Sequence, residues 1–401
     1  MDRVIFLVDM NSFFISCETT RHPEILGKPA AVAGNPKTRT GIILTANYEA
    51  RKFGVKTTML VHEALKLCPN MQLLPPDHSF YVQKSQEVMD ILYSYTPAVE
   101  QNSIDEAWLD MTGCEGIFGK PTESAKLIMD KLKHELGLWC SIGISENKFL
   151  SKMASEMKKP LGITELWKKD INIKLWPLSV QSMYGVGKQT TQKLNSMGII
   201  TIRDLALYNK EILRKKLGKS GMELNQLANG IDFSSVMWQS HADIKSIGRS
   251  VTLSEDITDI DSAKVILMKL TEVVASTARK AGKKGRTVQI NIKYSNFKSI
   301  TRQITVPETY QTNEVYSVGV DLLKKNWDNK LPVRLLGISL TGFGEDSAAT
   351  QLSLFDIPEA NLMSGSSEKL DRLDSAIDSI REKYGSSVIK RAVLMRKKDK
   401  E

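Results

Sequence analysis

Ser103-Ile104-Asp105-Glu106-Ala107-Trp108-Leu109-Asp110 sets two adjacent carboxylates at the entrance of an apolar run. A second run, Val4-Ile5-Phe6-Leu7-Val8, stops at another acid, Asp9. Short, continuous apolar runs read as strands buried on both faces. Two such strands, antiparallel and adjacent, would gather Asp9, Asp105 and Glu106 at one edge of a sheet. Carboxylates that close repel one another unless cations lie among them. Hard oxygen donors suit Mg²⁺, which keeps its waters and takes one or two carboxylates together with substrate phosphates. A pair of such ions can serve both the attacking and the leaving oxygen of phosphoryl transfer. The plainer reading has Asp105 capping a turn and Asp9 ending a strand, and the three acids taken alone favour it.

Working outward, residues 41–45 read as a further strand and 47–53 as a short helix. Helical spacing runs over 80–95 and 122–136, and 139–144 reads as a strand. Strands and helices mixed in this way make the first ~165 residues an α/β or α+β unit. From 167 to 235 short helices punctuated by glycine replace strands. Lys+Arg there number 11 against 5 Asp+Glu, a net +6. From 243 to 345 strands return, in the order β-α-β-β-α-β, which predicts a ferredoxin-like sheet with two helices on one face. Within it Val288, Ile290, Ile292 and Tyr294 alternate with Gln289, Asn291 and Lys293. The polar row suits a sugar–phosphate backbone, or simply solvent. Lys+Arg number 16 against 11 Asp+Glu, a net +5. Beyond Glu345 the chain is polar and Ser/Gly-rich, with helical periodicity over 370–384, and 346–401 is expected to be a flexible tail.

The 401 residues, 41% of them hydrophobic, can bury several cores, about two to four domains. A net charge of +9 favours a polyanionic partner, nucleic acid or an acidic membrane surface. No window approaches the roughly 18 apolar residues of a membrane span, and the N-terminal apolar run is too short for a signal peptide. Cys17, Cys68, Cys114 and Cys140 have no metal-knuckle spacing, which fits a reduced, cytoplasmic chain. Nucleic acid is thus the favoured partner.

Two further stretches carry chemistry. In Thr45-Ala46-Asn47-Tyr48-Glu49-Ala50-Arg51, Tyr48 and Arg51 are three residues apart and share a helix face. A hydroxyl and a guanidinium fork beside Thr45 can hold a triphosphate, although such pairs also decorate ordinary surface helices. Tyr184-Gly185-Val186-Gly187-Lys188 is a Gly-x-Gly hairpin between short helices, followed by Gly198-Ile199. Its glycines let backbone N–H groups approach a phosphate, and a simple helical hairpin is the bland alternative.

Phe6-Leu7-Val8-Asp9-Met10-Asn11-Ser12-Phe13-Phe14, residues 45–55, Ser103-Ile104-Asp105-Glu106, Gly143-Ile144-Ser145-Glu146-Asn147-Lys148 and Lys158-Lys159-Pro160-Leu161-Gly162-Ile163 occur in this order. Together they resemble the Y-family translesion DNA polymerases, most of all the bacterial members, over roughly residues 3–345. The resemblance implies a multidomain α+β right hand. Its palm would be 1–18 and 77–166, its small fingers 19–76, its helix-hairpin-helix thumb 167–235 and its βαββαβ little finger 243–345. It implies a DNA-directed DNA polymerase without proofreading that adds dNMP to a primer 3′-hydroxyl and copies damaged templates. Asp9, Asp105 and Glu106 would hold two Mg²⁺ ions, with the Met10 carbonyl as a further ligand. Phe14 would be the steric gate against ribonucleotides, with Phe13 the better core candidate. Thr45, Tyr48, Arg51 and Lys159 would contact the triphosphate. Gly185, Gly187 and Lys188 would meet the DNA backbone. Asn11 and Ser12 depart from the commonest family residues without removing an acidic ligand.

Gln351-Leu352-Ser353-Leu354-Phe355 is similar to the bacterial sliding-clamp-binding peptide, with Leu354 and Phe355 suited to an apolar pocket and Gln351 and Leu352 beside them. The expected partners are primer–template DNA, a dNTP and that clamp, for a monomer without a membrane anchor. A nucleotide cyclase or two-metal nuclease, or an inactive DNA- and clamp-binding accessory protein, are the alternatives. The hairpin disfavours the cyclase, the intact acids disfavour the inactive accessory, and ordered dNTP-dependent extension would discriminate against both the cyclase and the nuclease.

Overall fold

The structure, a computed structural model, describes residues 3–35, 41–237, 244–327, 330–344, 364–385 and 387–394. The first part runs β1 (Ile5–Met10), α1 (Phe13–Arg21), β2 (Ala30–Ala33), β3 (Ile43–Ala46), α2 (Tyr48–Lys52), α3 (Val61–Leu67), β4 (Gln72–Leu74) and α4 (His78–Tyr93). It continues through β5 (Val99–Gln101), β6 (Glu106–Asp110), α5 (Glu115–Phe118), α6 (Pro121–Leu136), β7 (Cys140–Ser145), α7 (Lys148–Met157) and β8 (Ile163–Glu165). Four helices follow: α8 (Ile171–Lys174), α9 (Lys188–Ser196), α10 (Ile202–Leu207) and α11 (Lys210–Ala228). The later part is β9 (Ser246–Ile257), α12 (Ile260–Lys280), β10 (Gly285–Tyr294), β11 (Ser299–Thr309), α13 (Thr312–Asn326), β12 (Val333–Phe343) and α14 (Ser364–Tyr384). Two compact units divide at residues 239 and 240.

In the first unit β1 is the central strand of a sheet ordered β5-β6-β1-β7-β8, antiparallel to both neighbours. Every residue of β1 is buried, and the strand's period of two divides them between two layers. Phe6 and Val8 join Tyr81, Leu92, Ile128, Leu132, Ile142 and Ile144 in a core built with α1, α4 and α6. Ile5 and Leu7 face the other way, with Trp108. On that second face α7 lies close to β7 because position 143 has no side chain. A Cβ on Gly143 would stand 2.0 Å from the Ser151 carbonyl oxygen and 2.4 Å from the Ser155 nitrogen. The remaining side of α7, Phe149, Leu150, Met153 and Ala154, packs into the helical core with Leu175, Val186, Leu194 and Leu205. A smaller sheet, β3-β2-β4, and α3 bury their own apolar cluster.

The second unit is an antiparallel sheet ordered β11-β10-β12-β9, with α12 and α13 on one face. The alternation read from 286–295 is observed: Val288, Ile290, Ile292 and Tyr294 point into the core with Leu336, Ile338 and Leu340. The strand order differs from the ferredoxin-like one expected, since β9 lies at an edge beside β12. The reason is composition. Ser246, Gly248, Ser250 and Thr252 make β9 a poor inner strand, and most of it is exposed, whereas β12 supplies four buried branched residues, Val333, Leu336, Ile338 and Leu340.

Residues 364–385 and 387–394 correct the expectation of a flexible tail. Helix α14 docks on α12 through charges. The Arg279 guanidinium donates to Asp378 at 2.7 Å and Asp374 at 3.1 Å, and to the Tyr310 carbonyl at 2.9 Å. Asp374 also accepts from the Thr312 N–H at 2.9 Å and pairs with Arg391 at 2.6 Å. Polar composition misled the sequence reading because partners 60 to 100 residues away satisfy these groups. Truncating one member of a buried ion pair leaves the other uncompensated, typically a loss of about 3 kcal/mol. Asp374→Ala is therefore expected to lower the melting temperature and to speed amide exchange across 364–384, with the first unit's exchange unchanged.

Candidate active site

The antiparallel register pairs Asp9 with Glu106, so the last acid of one buried strand stands opposite the first of the next. Asp105 lies one residue outside β6, where its carbonyl accepts from the Met10 N–H at 2.9 Å. Lysines close the charge balance. The Lys152 ammonium, on α7, is 3.0 Å from Asp9 Oδ2, 2.6 Å from Glu106 Oε2 and 3.1 Å from Glu156 Oε1. Lys159 reaches Asp9 Oδ1 at 2.8 Å and Glu156 Oε1 at 2.9 Å. The Asp105 carboxylate turns back to accept from the Ser103 hydroxyl at 2.5 Å, and Asn102 donates to Glu106. Asp9 and Glu106 are thus brought together, while Asp105 is adjacent but turned aside. Among the described residues no three His, Cys, Asp or Glu side chains stand as a ready metal cage. The donor set nonetheless fits a hard divalent ion. It consists of carboxylate oxygens, and a cation already sits between two of them.

Burial alone would push the Asp9 carboxyl up. The ammonium charges and hydrogen bonds of Lys159 and Lys152 outweigh it, so its pKa falls below the ordinary 3.8. Burial would likewise push Lys152 and Lys159 down, but Asp9 first, then Glu106 and Glu156 for Lys152 and Glu156 for Lys159, hold both above 10.5. A depressed native carboxylate pKa adds stability that is complete above 3.8 and is lost as pH falls through the lower native value. The raised lysines add stability that is complete below 10.5 and is lost as pH rises through their native values. Asp9→Asn removes the acid-side contribution. Its melting temperature should therefore fall less than that of the parent chain between about pH 7 and about pH 3, measured by thermal denaturation.

The expected nucleotide contacts lie around this centre. Phe14, half-buried on α1, stacks on Tyr81 with centroids 4.4 Å apart and meets His78 edge-on, while Phe13 is core. Asn47 caps α2, accepting from the Ala50 N–H at 3.0 Å, and Thr45 ends in the strand just before it. The Arg51 guanidinium lies 5.0 Å over the Tyr48 ring, as their spacing requires, and donates to the Ala46 carbonyl at 2.9 Å. Burial raises the Tyr48 pKa against the lowering charges of Arg51 and Lys159, and Asp9 adds to the rise. Asn11 is buried and bonds Ser141 at 3.0 Å and the Leu161 N–H at 2.9 Å, pinning the loop that carries Lys159.

In the helical part Gly185 has φ 88°, a conformation that favours glycine, and Gly187 caps α9, whose first residue, Lys188, is exposed. Met10 is buried at the end of β1. Gln351, Leu352, Leu354 and Phe355 lie outside the described residues.

Residues 8–156 match the model of the impB/mucB/samB family, 244–354 match its C-terminal domain, and 181–232 match the thumb domain of DNA polymerase-iota. The chain is 65% identical to DNA polymerase IV of Clostridium kluyveri over 397 residues, 99% of each chain. The chain belongs to the DNA polymerase IV family. DNA polymerase IV of Alkaliphilus oremlandii is 57% identical, covering 98% of this chain and 100% of that one. Among solved structures, a Y-family DNA polymerase chimera superposes with a TM-score of 0.77 at 27% identity, over 85% of this chain and 99% of the other. As a member of the DNA polymerase IV family, the chain is a DNA-directed DNA polymerase of translesion synthesis with palm, fingers, thumb and little finger. It binds DNA, and the family uses divalent metal. No described helix is long and apolar enough to cross a membrane. An inactive accessory role has no support.

Lys152, Glu156 and Asn102 were not singled out from sequence. A signal for Lys152 existed: a cation in the middle of the helix, set among the apolar Phe149, Leu150, Met153 and Ala154.

Proposed function

We propose that dNMP transfer to a primer 3′-hydroxyl takes place at Asp9, Asp105 and Glu106, with two Mg²⁺ ions held by these carboxylates and the Met10 carbonyl. The observation that carries this reading is the Asp9–Glu106 pair, held opposite one another at a sheet edge and already bridged by a cation. When bound, the ions would lower the pKa of the attacking hydroxyl and neutralise charge on the triphosphate. Asp105 would rotate from Ser103 to join its neighbours. Thr45, Tyr48, Arg51 and Lys159 would grip the triphosphate, Lys159 leaving Asp9 for the phosphates. Phe14, backed by Tyr81, would lie under the sugar and clash with a 2′-hydroxyl. Gly185, Gly187 and Lys188 would track the DNA backbone at the start of α9, and the polar sheet face bearing Gln289, Asn291 and Lys293 would lie along the duplex.

The domain limits proposed are 1–18 and 77–166 for the palm, 19–76 for the fingers, 167–235 for the thumb and 243–345 for the little finger. Residues 351–355 would bind the sliding clamp, and the enzyme would act as a cytoplasmic monomer without proofreading.

Primer extension with Mg²⁺ and dNTPs tests the reading on intact and abasic templates. Short extension products on both are expected, and DNA binding without extension on either would overturn it. Asp105→Ala should lower the rate by about 10³-fold, several kcal/mol of lost charge stabilisation. Phe14→Ala should raise ribonucleotide incorporation while leaving dNTP incorporation measurable. Deleting 351–355 should abolish clamp binding in a pull-down and spare clamp-free extension.

A further inference from the structure

We infer that Lys152 is a resident counter-ion of the catalytic carboxylates, which a divalent ion must displace from between Asp9 and Glu106 before the site can load. The inference rests on the metal reading proposed above and goes beyond it by assigning a role to a residue outside the ligand set.

The side chain is 11% exposed, and its ammonium touches three carboxylates. Its position follows from the fold. Gly143 lets α7 lie against the sheet, Asn147 caps the helix by accepting from the Leu150 N–H at 2.9 Å, and Trp108 Nε1 donates to the Lys148 carbonyl at 3.1 Å. The ammonium therefore projects onto Asp9 Oδ2 and Glu106 Oε2, between the two carboxylates that would hold the metal. Carboxylate oxygens 2.6 and 3.0 Å from a nitrogen cannot also close to the roughly 2.1 Å of an Mg²⁺ ligand around the same point. One cation has to leave.

Glu156 supplies the exit. It is one turn along α7, already 3.1 Å from the ammonium, and its side chain is 48% exposed, so it can keep the displaced charge paired nearer solvent. Lys159 shares Glu156 at 2.9 Å and is the other cation facing Asp9. Lys152 thus acts as a positioning residue. It keeps two like charges together on paired strands, and it weakens binding of a lone ion, so the ion loads best with the triphosphate that accompanies it.

The test is Mn²⁺ binding to the full chain without DNA or nucleotide, followed by electron paramagnetic resonance, with melting temperatures in chelator and in Mn²⁺. Lys152→Met is expected to bind Mn²⁺ about tenfold more tightly, since a competing unit charge is gone. Its melting temperature in chelator should fall by about 5 °C and recover with Mn²⁺. Lys152→Arg, whose fork holds carboxylates more firmly, should bind Mn²⁺ more weakly than wild type. Unchanged or weaker binding by Lys152→Met overturns the inference. Should that variant not fold, equal or tighter binding by Lys152→Arg overturns it instead. Asp9→Asn separates the two readings: if it leaves Mn²⁺ binding intact, the metal assignment itself fails and the inference falls with it.

Discussion

Two carboxylates held opposite one another on buried, hydrogen-bonded strands are the constraint to which the first unit answers. Asp9 and Glu106 cannot move apart without breaking the β1–β6 ladder, and neither reaches enough water to be screened. Like charges in that position need cations. The chain supplies them from one stretch, 148–159, and the geometry of that stretch follows from the requirement. A glycine at 143 brings α7 down onto the sheet, and Asn11 ties the loop after α7 to Ser141. Packing and electrostatics here are one problem. The helix that delivers Lys152 also turns Phe149, Leu150 and Met153 into the adjoining helical core.

The residues proposed to face the nucleotide come from different elements but share this centre. Phe14 is oriented by stacking on Tyr81, itself fully buried and donating to Glu18 at 2.6 Å. Tyr48 and Arg51 are oriented by a five-residue helix, too short to persist alone, that Asn47 caps and Ala50 anchors in a buried cluster. Membership of the DNA polymerase IV family accounts for this concentration of charge.

In the second unit the division of labour is different. Its sheet and two helices are joined by ordinary apolar layers, whereas α14 is attached by Arg279, Asp374, Asp378, Arg381 and Arg391. A buried pair of this kind adds little net stability over an apolar contact but is strict about geometry. It therefore specifies where the helix docks more than how tightly it holds.

What the sequence by itself determined was set by local rules. Uniformly apolar runs ending in acids marked β1 and β6, strict alternation marked β10, and Tyr48 and Arg51 met because residues three apart share a helix face. The family motifs, too, are contiguous and survive reading in one dimension. Only the tertiary structure decided the rest, because it depends on partners distant along the chain. The place of Lys152 between Asp9 and Glu106 reaches back 143 residues to the one and 46 to the other. The turning of Asp105 toward Ser103 is a side-chain choice among competing acceptors that spacing does not encode. The edge position of β9 reflects a contest among four strands for the inner places. The docking of α14 depends on charges that look solvated until their partners across α12 and α13 are known.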